Sequence, residues 1–303
     1  MNRNALSLTL LLFAATPVFA ELHVVIVEGL GGDPVYAEQF SAQVDAIEFA
    51  SSTLTANDNI QVFRRNTASR DAILSHFKAL ESSLAGSDQI SVFLVGHGSY
   101  DDVEYKFNLQ GPDLTGEDIA ASLDALVSTS QLLVNTSSSS GAVVDLLQND
   151  NRVLVLATRS GVERHATRFG GFFADALSNN TADTDKNQRI SVAEAFSFAE
   201  RQVDDYYDSN GQLATEHPRI EGERTARVTL ARLDSSRPTI IDVAMAELVA
   251  DRDALNSEID ALRLARDDMD LPDYQAQLLE KMLQLARIED AIEEREGDLG
   301  APD

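Results

Sequence analysis

The feature that most constrains the fold is a series of five short apolar runs, separated by longer segments in which apolar residues recur with helical spacing. The runs cover residues 22–27, 60–63, 90–95, 131–134 and 152–157, and three of them read LHVVIV, ISVFLV and RVLVLA. Short runs that are apolar throughout are typical of strands buried in a parallel sheet. The sequence therefore predicts an α/β fold with a mainly parallel sheet flanked by helices.

The segments between the runs support this alternation. Residues 36–49, 69–84, 115–126 and 142–147 are each expected to form a helix. The third helix opens with Thr115 and Asp118 in the Thr-x-x-Asp arrangement of a capping box, in which side chains and backbone N–H groups of the first turn bind each other. Residues 105–111, YKFNLQG, are expected to form a hairpin or an extended loop.

Small and polar residues follow three of the predicted strands. The segments are GHGS at 96–99, NTSSSSG at 135–141 and ATRSG at 157–161. In open parallel sheets, ligands bind where the carboxyl ends of the strands meet, so these segments are candidates for a functional site. The serines have a second explanation, in which they turn the chain and one of them caps the next helix. Spacing alone favours that second explanation.

The amino-terminal residues have the pattern of a secretory signal peptide. Arg3 precedes an apolar stretch at residues 6–15, and residues 18–20, VFA, fit the small-x-small pattern of a cleavage site. We expect cleavage after Ala20, a mature chain that begins at Glu21, and a secreted or periplasmic location. The apolar stretch is shorter than the roughly 20 residues of a membrane span, and no later stretch is as apolar, so membrane insertion is not expected.

Composition narrows the classes of function. The chain has no cysteine, which excludes disulfides, thiolate metal sites and a cysteine nucleophile. It has 24 basic and 50 acidic residues and a formal net charge of −26. Nucleic acids and anionic membrane surfaces bind clustered Lys and Arg, so neither is an expected partner. Such a charge suits a protein that binds cations.

Two of the strand ends are similar to those of a known family. A strand that ends in His-Gly, here VFLVGHGS, resembles the segment that supplies the catalytic histidine in the caspase and legumain group (clan CD) of cysteine peptidases, particularly the exported bacterial relatives of legumain. A later strand of that group ends in Ala-Cys-x-Ser-Gly, where this chain has SSSSG. The resemblance covers residues 22 to about 235 and implies a caspase/legumain-like fold.

The resemblance assigns roles to particular residues. It implies that His97 is the catalytic histidine and that Ser138 occupies the position of the nucleophile. In the family, the backbone N–H groups of the nucleophile and of the glycine after the histidine form the oxyanion hole, which here would be Ser138 and Gly98. Ser140 and Gly141 match the Ser-Gly pair after the nucleophile and are assigned to substrate binding.

Serine at the nucleophile position leaves three functional hypotheses. A thiol ionises far more readily than a hydroxyl, so a site shaped for sulfur loses most of its rate with oxygen. The first hypothesis, which we favour, is a pseudopeptidase that retains a role in binding a peptide or protein, or in assembly. The second is an active serine peptidase with Ser138 as nucleophile, His97 as base, and Asp101, Asp102 or Glu163 as the orienting acid. The third is a calcium-stabilised interaction protein that acts through its carboxyl-terminal helices.

A basic segment follows the last predicted strand. Residues 157–169, ATRSGVERHATRF, resemble the substrate-pocket region of the family, and the basic residues in them are Arg159, Arg164, His165 and Arg168. Arg159 lies nearest the strand end and is assigned to substrate binding, since a guanidinium holds a carboxylate through two hydrogen bonds. The alternative is that these residues pair with local acids such as Glu163 and Asp175. His217, in ATEHPRI, is assigned a structural role.

A separate motif, DTDKNQRISVAE, occupies residues 183–194. Its spacing matches the EF-hand loop, which binds Ca²⁺ through oxygen atoms at fixed positions. The sixth position, normally glycine, is Gln188, which should weaken the site. The alternative is a solvated acidic loop that caps a helix, and no organic cofactor is expected. The predicted ligands are the side chains of Asp183, Asp185, Asn187, Ser191 and Glu194 and the carbonyl oxygen of Arg189.

The chain changes character after about residue 236. Apolar residues recur at intervals of three and four in residues 242–266 and 278–292, on either side of the breaker DLPD. This predicts an α-helical hairpin or short coiled coil, and residues 241–293 are candidates for self-association. The predicted organisation is a signal peptide (1–20), an α/β domain (21–236) and a hairpin with a tail (237–303). The residues expected in the hairpin seam are Met245, Leu248, Leu255, Ile259, Leu262, Leu278, Met282, Leu285, Ile288 and Ile292.

Overall fold

The structure is a computed structural model that describes residues 20–128, 130–222, 228–233, 243–266 and 269–300. Residues 1–19 of the predicted signal peptide and the predicted domain boundary at residue 236 lie outside the described residues. Within the described part of the chain, no helix is both long enough and apolar enough to cross a membrane.

Strands and helices alternate along most of the described chain. The strands are β1 (Leu22–Glu28), β2 (Ile60–Phe63), β3 (Gln89–Val95), β4 (Gly98–Tyr100), β5 (Tyr105–Phe107), β6 (Leu114–Thr115), β7 (Ser130–Asn135), β8 (Arg152–Leu156), β9 (Arg189–Ser191), β10 (Arg219–Glu221) and β11 (Thr229–Arg232). The helices are α1 (Pro34–Ser52), α2 (Arg70–Ser83), α3 (Gly116–Asp124), α4 (Val144–Leu147), α5 (Phe169–Ala176), α6 (Val192–Ser209), α7 (Val243–Leu264) and α8 (Leu271–Gly300).

The central sheet has the strand order β10-β8-β7-β3-β1-β2. All neighbouring pairs are parallel except β10 with β8, an antiparallel pair at the edge. The predicted α/β fold with a mainly parallel sheet is confirmed. Leu94, Asn135 and Leu156 pair in one row across β3, β7 and β8. The loops that follow these three strands therefore leave the sheet at the same edge.

Both faces of the sheet are buried, because side chains alternate between two apolar cores. In β1, Val24 and Ile26 belong to the core that α1, α5 and α6 cover, whereas Val25 and Val27 belong to the core that α2 and α3 cover. A strand buried on both faces needs an apolar residue at every position. This explains why the sequence shows continuous apolar runs rather than alternation.

Local side-chain contacts fix where the helices begin. Thr115 and Asp118 form the predicted capping box at the start of α3. The first turns of α1 and α2 receive the side chains of Asp33 and Ser69, which accept hydrogen bonds from backbone N–H groups. Such contacts satisfy donors that have no partner inside the helix.

Helices α7 and α8 form the predicted hairpin, with a small core of Met245, Val249 and Ile292. The prediction that Met282 lies in the seam is wrong, because its residue is 49% exposed. Leu279 and Leu283 are also exposed. Helix α8 therefore has apolar residues on two faces, one packed against α7 and one exposed. Apolar residues recur every three or four positions on both faces, so the sequence pattern alone predicted a single seam.

The hairpin is attached to the α/β domain through buried polar groups. Asp260 of α7 pairs with Arg189 of β9 and, at 3.1 Å, with Arg232 of β11. Asn256 accepts a further hydrogen bond from Arg189 at 3.1 Å. Asp260 also lines a small cavity beside Ala20, which precedes β1. Helix α7 therefore lies near the amino-terminal edge of the sheet, opposite the loops that follow β3, β7 and β8.

Candidate active site

The two residues assigned to catalysis follow neighbouring parallel strands. His97 follows β3, and Ser138 follows β7. The two loops touch at Gly98, where a Cβ atom would lie 2.5 Å from the carbonyl oxygen of Ser138 and 2.6 Å from Oγ of Ser137. Only glycine fits so close to another backbone. The fold thus brings His97, Gly98 and Ser138 to one edge of the sheet.

The imidazole of His97 lies against two aromatic rings of α1. Its centroid is 4.7 Å from the ring of Tyr36 and 5.0 Å from the ring of Phe40, both in edge-on contact. Burial lowers the pKa of His97, and a hydrogen bond to the Gly31 carbonyl only partly offsets that effect. The ring is therefore held as a neutral imidazole, the form that can accept a proton.

Ser138 is 3% exposed, and in the described residues its hydroxyl makes no hydrogen bond to His97 or to another protein group. The three acids considered for orienting His97 bind elsewhere. Asp101 accepts backbone N–H groups of its own hairpin, and Asp102 pairs with Arg164 at 2.6 Å. Glu163, on the loop after β8, binds the backbone N–H groups of Arg159 and His217. A serine, histidine and acid triad is therefore not formed.

A buried hydrogen-bond network lies behind Ser138. The hydroxyl of Tyr105, on β5, is 2.6 Å from Oγ of Ser137 and accepts a hydrogen bond from Nδ2 of Asn135 at 2.9 Å. Ser137 also donates to Oδ1 of Asn135 at 2.8 Å. Burial raises the pKa of Tyr105 to about 12, so the phenol stays neutral. The network fixes the start of residues 136–141, here named the serine loop.

The end of the serine loop is held by the residues that follow β8. Thr158 donates its N–H to Oγ of Ser140 at 3.1 Å, and its Oγ1 accepts the N–H of Gly141 at 2.9 Å. A Cβ atom on Gly141 would lie 2.3 Å from the backbone of Arg159 and Ser160. Three loops therefore meet at the serine loop. The small serine side chains leave room for the neighbouring backbone, and the hydroxyl groups of two of them form hydrogen bonds with it and with nearby side chains.

The proposal that a serine caps the following helix finds no support in the geometry. Ser139 precedes a short 3₁₀ turn, yet its side chain makes no capping hydrogen bond. Its φ of 58° is in the left-handed region, and its N–H donates to the carbonyl oxygen of Glu163 at 2.8 Å. A contact from the neighbouring loop thus holds this residue in a conformation that is uncommon outside glycine.

Glu163 joins three segments at the rim of the site. Its carboxylate accepts the backbone N–H of Arg159 at 2.9 Å and the backbone N–H of His217 at 3.1 Å, and it lies 2.7 Å from Nδ1 of His217. The side chain of Arg159 is 63% exposed, and its guanidinium lies 4.0 Å from Glu163. Arg159 therefore remains accessible to a ligand, whereas His217 has the predicted structural contact.

The other basic residues of this segment contact other side chains or face solvent. Arg164 pairs with Asp102, the guanidinium of Arg168 lies 4.9 Å from the centre of the Tyr206 ring, and His165 is exposed. The predicted pairing with a local acid is thus not found for Arg164, whose partner lies on the β4–β5 hairpin; the local pair in the structure is Arg159 with Glu163 at 4.0 Å.

Glu216 supports the loops around the site, and the sequence did not predict this role. Glu216 is 1% exposed and accepts the backbone N–H groups of Arg168 and Phe169 at the start of α5, together with the hydroxyl of Tyr207. Burial raises the pKa of Glu216, and these hydrogen bonds offset part of the rise. The residue adjoins His217 and so anchors the segment that contacts Glu163. A single acid in ATEHPRI gives no signal of this role.

Residues 183–194, here named the acidic loop, gather the acids that were predicted to bind Ca²⁺. Asp183, Asp185 and Glu194 each offer a carboxylate oxygen, and these atoms lie within 4.8 Å of one another. Asp183 accepts the backbone N–H groups of Asn187 and Gln188, both at 3.0 Å. The loop is therefore closed on its own carboxylates.

The remaining predicted ligands take part in the same closure. Oδ1 of Asn187 accepts the N–H of Arg189 at 2.8 Å. Ser191 and Glu194 form a capping box at the start of α6, so the helix-capping alternative is realised as well. Lys186 and Gln188 have φ of 56° and 62°. Gln188 thus adopts the left-handed turn for which an EF-hand normally uses glycine.

The donor set fits a hard divalent cation. One carboxylate oxygen each from Asp183, Asp185 and Glu194 lies within 4.8 Å of the other two, and such oxygen atoms are the ligands that Ca²⁺ prefers. All three side chains also accept backbone N–H groups, and the remaining lone pairs of their carboxylates are available to an ion. The loop can therefore offer at least these oxygen ligands without refolding.

Residues 34–219 match the model of the peptidase C13 family, and a search of curated protein sequences finds no match. Protein GSU0716 from Geobacter sulfurreducens is similar in structure, with a TM-score of 0.48 and 11% identity over 71% of this chain and 100% of that chain. Caspase-1 from Spodoptera frugiperda gives a TM-score of 0.46 and 12% identity over 71% and 92% of the two chains.

Proposed function

The chain belongs to the peptidase C13 family, and we propose that it is an exported pseudopeptidase, which binds a peptide or protein segment at the carboxyl edge of its sheet with little or no proteolysis. The observation that carries the proposal is the isolation of the Ser138 hydroxyl. It occupies the position of the nucleophile and has no hydrogen bond to His97 in the described residues.

The missing hydrogen bond between Ser138 and His97 matters because the nucleophile would be a hydroxyl group. A serine hydroxyl is a weak nucleophile unless a base accepts its proton, and a base within hydrogen-bond reach is the usual requirement. The Gly31 carbonyl and the rings of Tyr36 and Phe40 hold His97 on the α1 side of the site. A cysteine at position 138 would depend less on this contact, because a thiol ionises more readily.

The surviving role is binding. Arg159 is exposed at the rim, and its guanidinium can pair with a carboxylate of a bound peptide in addition to Glu163. Ser140 and Gly141 shape the floor beside Ser138. The hydrogen bonds that Thr158 accepts from Gly141 and that Tyr105 shares with Ser137 keep this floor in place, which favours a preformed site over one that orders on binding.

An active serine hydrolase is the second candidate, and two observations favour it. The lowered pKa of His97 leaves a neutral ring that can accept a proton. Among the described residues, the N–H of Ser138 donates to no other protein group, so it remains available to an oxyanion. This candidate requires His97 and Ser138 to approach each other when a substrate binds.

A serine-directed fluorophosphonate probe separates the two candidates. The purified mature protein is compared with Ser138→Ala, Ser138→Cys and, as a matched control, Ser99→Ala on the exposed face of β4. We expect no labelling at Ser138 in the natural protein and peptidase activity in Ser138→Cys. Labelling that disappears only in Ser138→Ala would establish the hydrolase instead and sink the pseudopeptidase.

The acidic loop is proposed to bind Ca²⁺ as a stabilising ion. Its converging carboxylates and the left-handed Gln188 support this role. Isothermal titration with Ca²⁺ should give a single site that Glu194→Gln weakens at least tenfold and that Glu200→Gln on the following helix leaves unchanged. No heat of binding at millimolar Ca²⁺ would remove this part of the proposal.

Self-association through residues 241–293 is the third role that we propose, and it rests on the exposed apolar face of α8. Leu279, Met282 and Leu283 are 61%, 49% and 52% exposed. Sedimentation of the chain with all three changed to Gln tests the role, with Leu213→Gln as a control at another exposed site. A change of oligomeric state in the triple variant alone supports assembly, and monomers in both cases refute it.

A further inference from the structure

The predicted cleavage site lies at the start of a core strand. β1 begins at Leu22 and occupies the interior of the sheet between β3 and β2. The N–H of Gln89 donates to the carbonyl oxygen of Glu21 at 2.8 Å, so backbone pairing extends to Glu21. Cleavage after Ala20 would therefore place the new chain terminus against the folded core rather than on a loose segment.

A buried carboxylate faces the nitrogen atom that cleavage would free. The backbone nitrogen of Glu21 donates to Oδ1 of Asp88 at 3.1 Å. Asp88 is 6% exposed, and its Oδ2 accepts the N–H of Ala85 at 2.8 Å. The Nε2 atom of His23 lies 3.9 Å from the same Oδ2. Among the described side chains, His23 is therefore the one basic group within 4.0 Å of the Asp88 carboxylate, and its contact is a distant one.

We propose that Asp88 is the binding site for the α-ammonium group of the mature chain, so that cleavage after Ala20 completes a buried ion pair. The inference rests on the proposed export of the chain. Cleavage hydrolyses the bond between Ala20 and Glu21: water gives its oxygen to the Ala20 carboxyl group, and the freed amine takes up protons. A neutral donor with one N–H thereby becomes a charged donor with three, and hydrogen bonds between charged groups are the stronger ones.

The charged groups around this position favour an ammonium ion. The Glu21 carboxylate lies 3.9 Å from Nε2 of His23 and accepts a hydrogen bond from Asn59. From helix α7, Asp260 lines the small cavity beside Ala20. Asp260 already pairs with Arg189 and Arg232. The acid excess beside the new terminus therefore comes from Asp88 and Glu21, which face only His23 among the described ion-pair partners, and a positive charge there offsets part of it.

The test compares two forms of the mature protein, made by removing a fusion partner in vitro. One form begins at Glu21 and the other keeps Ala20, and each is made with Asp88 and with Asp88→Asn. At pH 6 we expect the Glu21 form to melt about 2–5 °C higher, because the extra residue moves the ammonium group away from Asp88. The advantage should vanish in Asp88→Asn. Equal melting of the two Asp88 forms, or an advantage that survives Asp88→Asn, would overturn the proposal.

The charge of the α-amino group can also be changed directly, by pH or by acetylation. This second test does not require the Asp88 variant to fold. An unpaired α-ammonium group has a pKa of about 7.7–8.0, and pairing with Asp88 raises the pKa in the folded chain. The advantage is therefore complete below about pH 7.7 and is lost as the pH rises through the folded pKa. Acetylation of the Glu21 amine should remove it at every pH. An acetylated chain that melts with the unmodified Glu21 form at pH 6 contradicts the ion pair.

Mass spectrometry of the protein exported from a bacterial host tests the cleavage itself. We expect the mass of a chain that begins at Glu21. Another first residue would refute the cleavage after Ala20, whereas the melting comparison judges the Asp88 site on its own. Failure of export and failure of the ion pair are therefore distinguishable, and neither result depends on peptidase activity.

Discussion

The serine loop and the acidic loop both use polar side chains to hold an irregular backbone, but the partners come from different places. The serine loop is neutral and buried, and it is fixed from outside by Tyr105 and Thr158. The acidic loop closes on itself, with Asp183 and Glu194 accepting N–H groups of their own loop. The first arrangement depends on the whole sheet. In the second, the carboxylate contacts depend on local sequence, and the contacts from outside the loop are made at its β9 end, where Arg189 binds Asp260 and Asn256. Rigidity at the candidate active site is therefore a property of the fold.

The largest expected effect tests how tightly the serine loop is enclosed. Gly141→Ala should destabilise the chain by at least about 3 kcal/mol, since its Cβ would overlap the backbone after β8. Gly171→Ala is the matched control, because its Cβ would meet only the end of Gln43 at 3.9 Å. The control should change stability by about 1 kcal/mol or less. Chemical unfolding measures both, and similar values for the two variants would contradict an enclosed serine loop.

A smaller effect tests whether the acidic loop is self-contained. Asp260→Asn leaves Arg189 and Arg232 with less charge to balance them in a buried setting, which should cost roughly 2–4 kcal/mol. Glu258→Gln, two residues earlier on α7, breaks the partly exposed pair with Lys281 and should cost less than about 1 kcal/mol. Thermal unfolding gives these values. If Asp260→Asn also abolishes Ca²⁺ binding, the acidic loop needs an external anchor and the contrast with the serine loop fails.

The next variant removes one external contact from the serine loop. Tyr105→Phe deletes the hydroxyl that binds Ser137 and Asn135 and should cost about 1–2 kcal/mol. Tyr100→Phe on the same hairpin is the control and should cost less than about 0.5 kcal/mol. The pKa of Tyr105 is raised to about 12, so its contribution is complete below about pH 10 and is lost as the pH rises toward the folded pKa. An unchanged alkaline unfolding curve in Tyr105→Phe would argue against this contact.

The smallest expected effect is the acid titration of the acidic loop. Burial alone would raise the pKa of Glu194, but hydrogen bonds from Ser191 and Thr184 outweigh burial and hold that pKa below its usual value. The stabilisation is therefore present above the unfolded pKa of Glu and is lost as the pH falls through the lower folded pKa. Glu194→Gln should flatten the fall in melting temperature below about pH 4.3.

Glu200 provides a control of opposite sign for that titration. Burial and the nearby charge of Asp204 raise the pKa of Glu200, with a partial offset from Arg201. Its protonation in acid therefore favours the folded state, and Glu200→Gln should slightly raise the melting temperature at pH 7. Parallel pH curves for Glu194→Gln and Glu200→Gln would show that local hydrogen bonding does not distinguish the two acids.

The structural features that were predicted correctly from the sequence are those that depend on short stretches of chain. The apolar runs gave the strands of the parallel sheet, and their shared direction placed His97 and Ser138 at one edge. The antiparallel strand β10 was not predicted, because Arg219–Glu221 is too short and too polar to resemble a strand. In the acidic loop, the spacing of the carboxylates was enough to predict which side chains converge, since all of them lie within residues 183–194.

Contacts between distant segments were not predictable in the same way. Tyr105 and Thr158 lie far from Ser138 in sequence, and nothing in their immediate neighbours signals a shared network. The partners of the acids named as candidates for orienting His97 were not predictable either, because the fold pairs Asp102 with Arg164 and Glu163 with His217. Pairings of charged side chains follow from the assembled loops.

The position of β1 has a consequence for how the chain can be built. β2 pairs with β1, β3 adds to the other side of β1, and β7, β8 and β10 then extend that side in turn. No later strand has to enter between two earlier ones. Chains are synthesised from the amino terminus, and domains form as their segments appear. The sheet can therefore grow outward in the order of synthesis, with each new strand meeting a neighbour that has already been made.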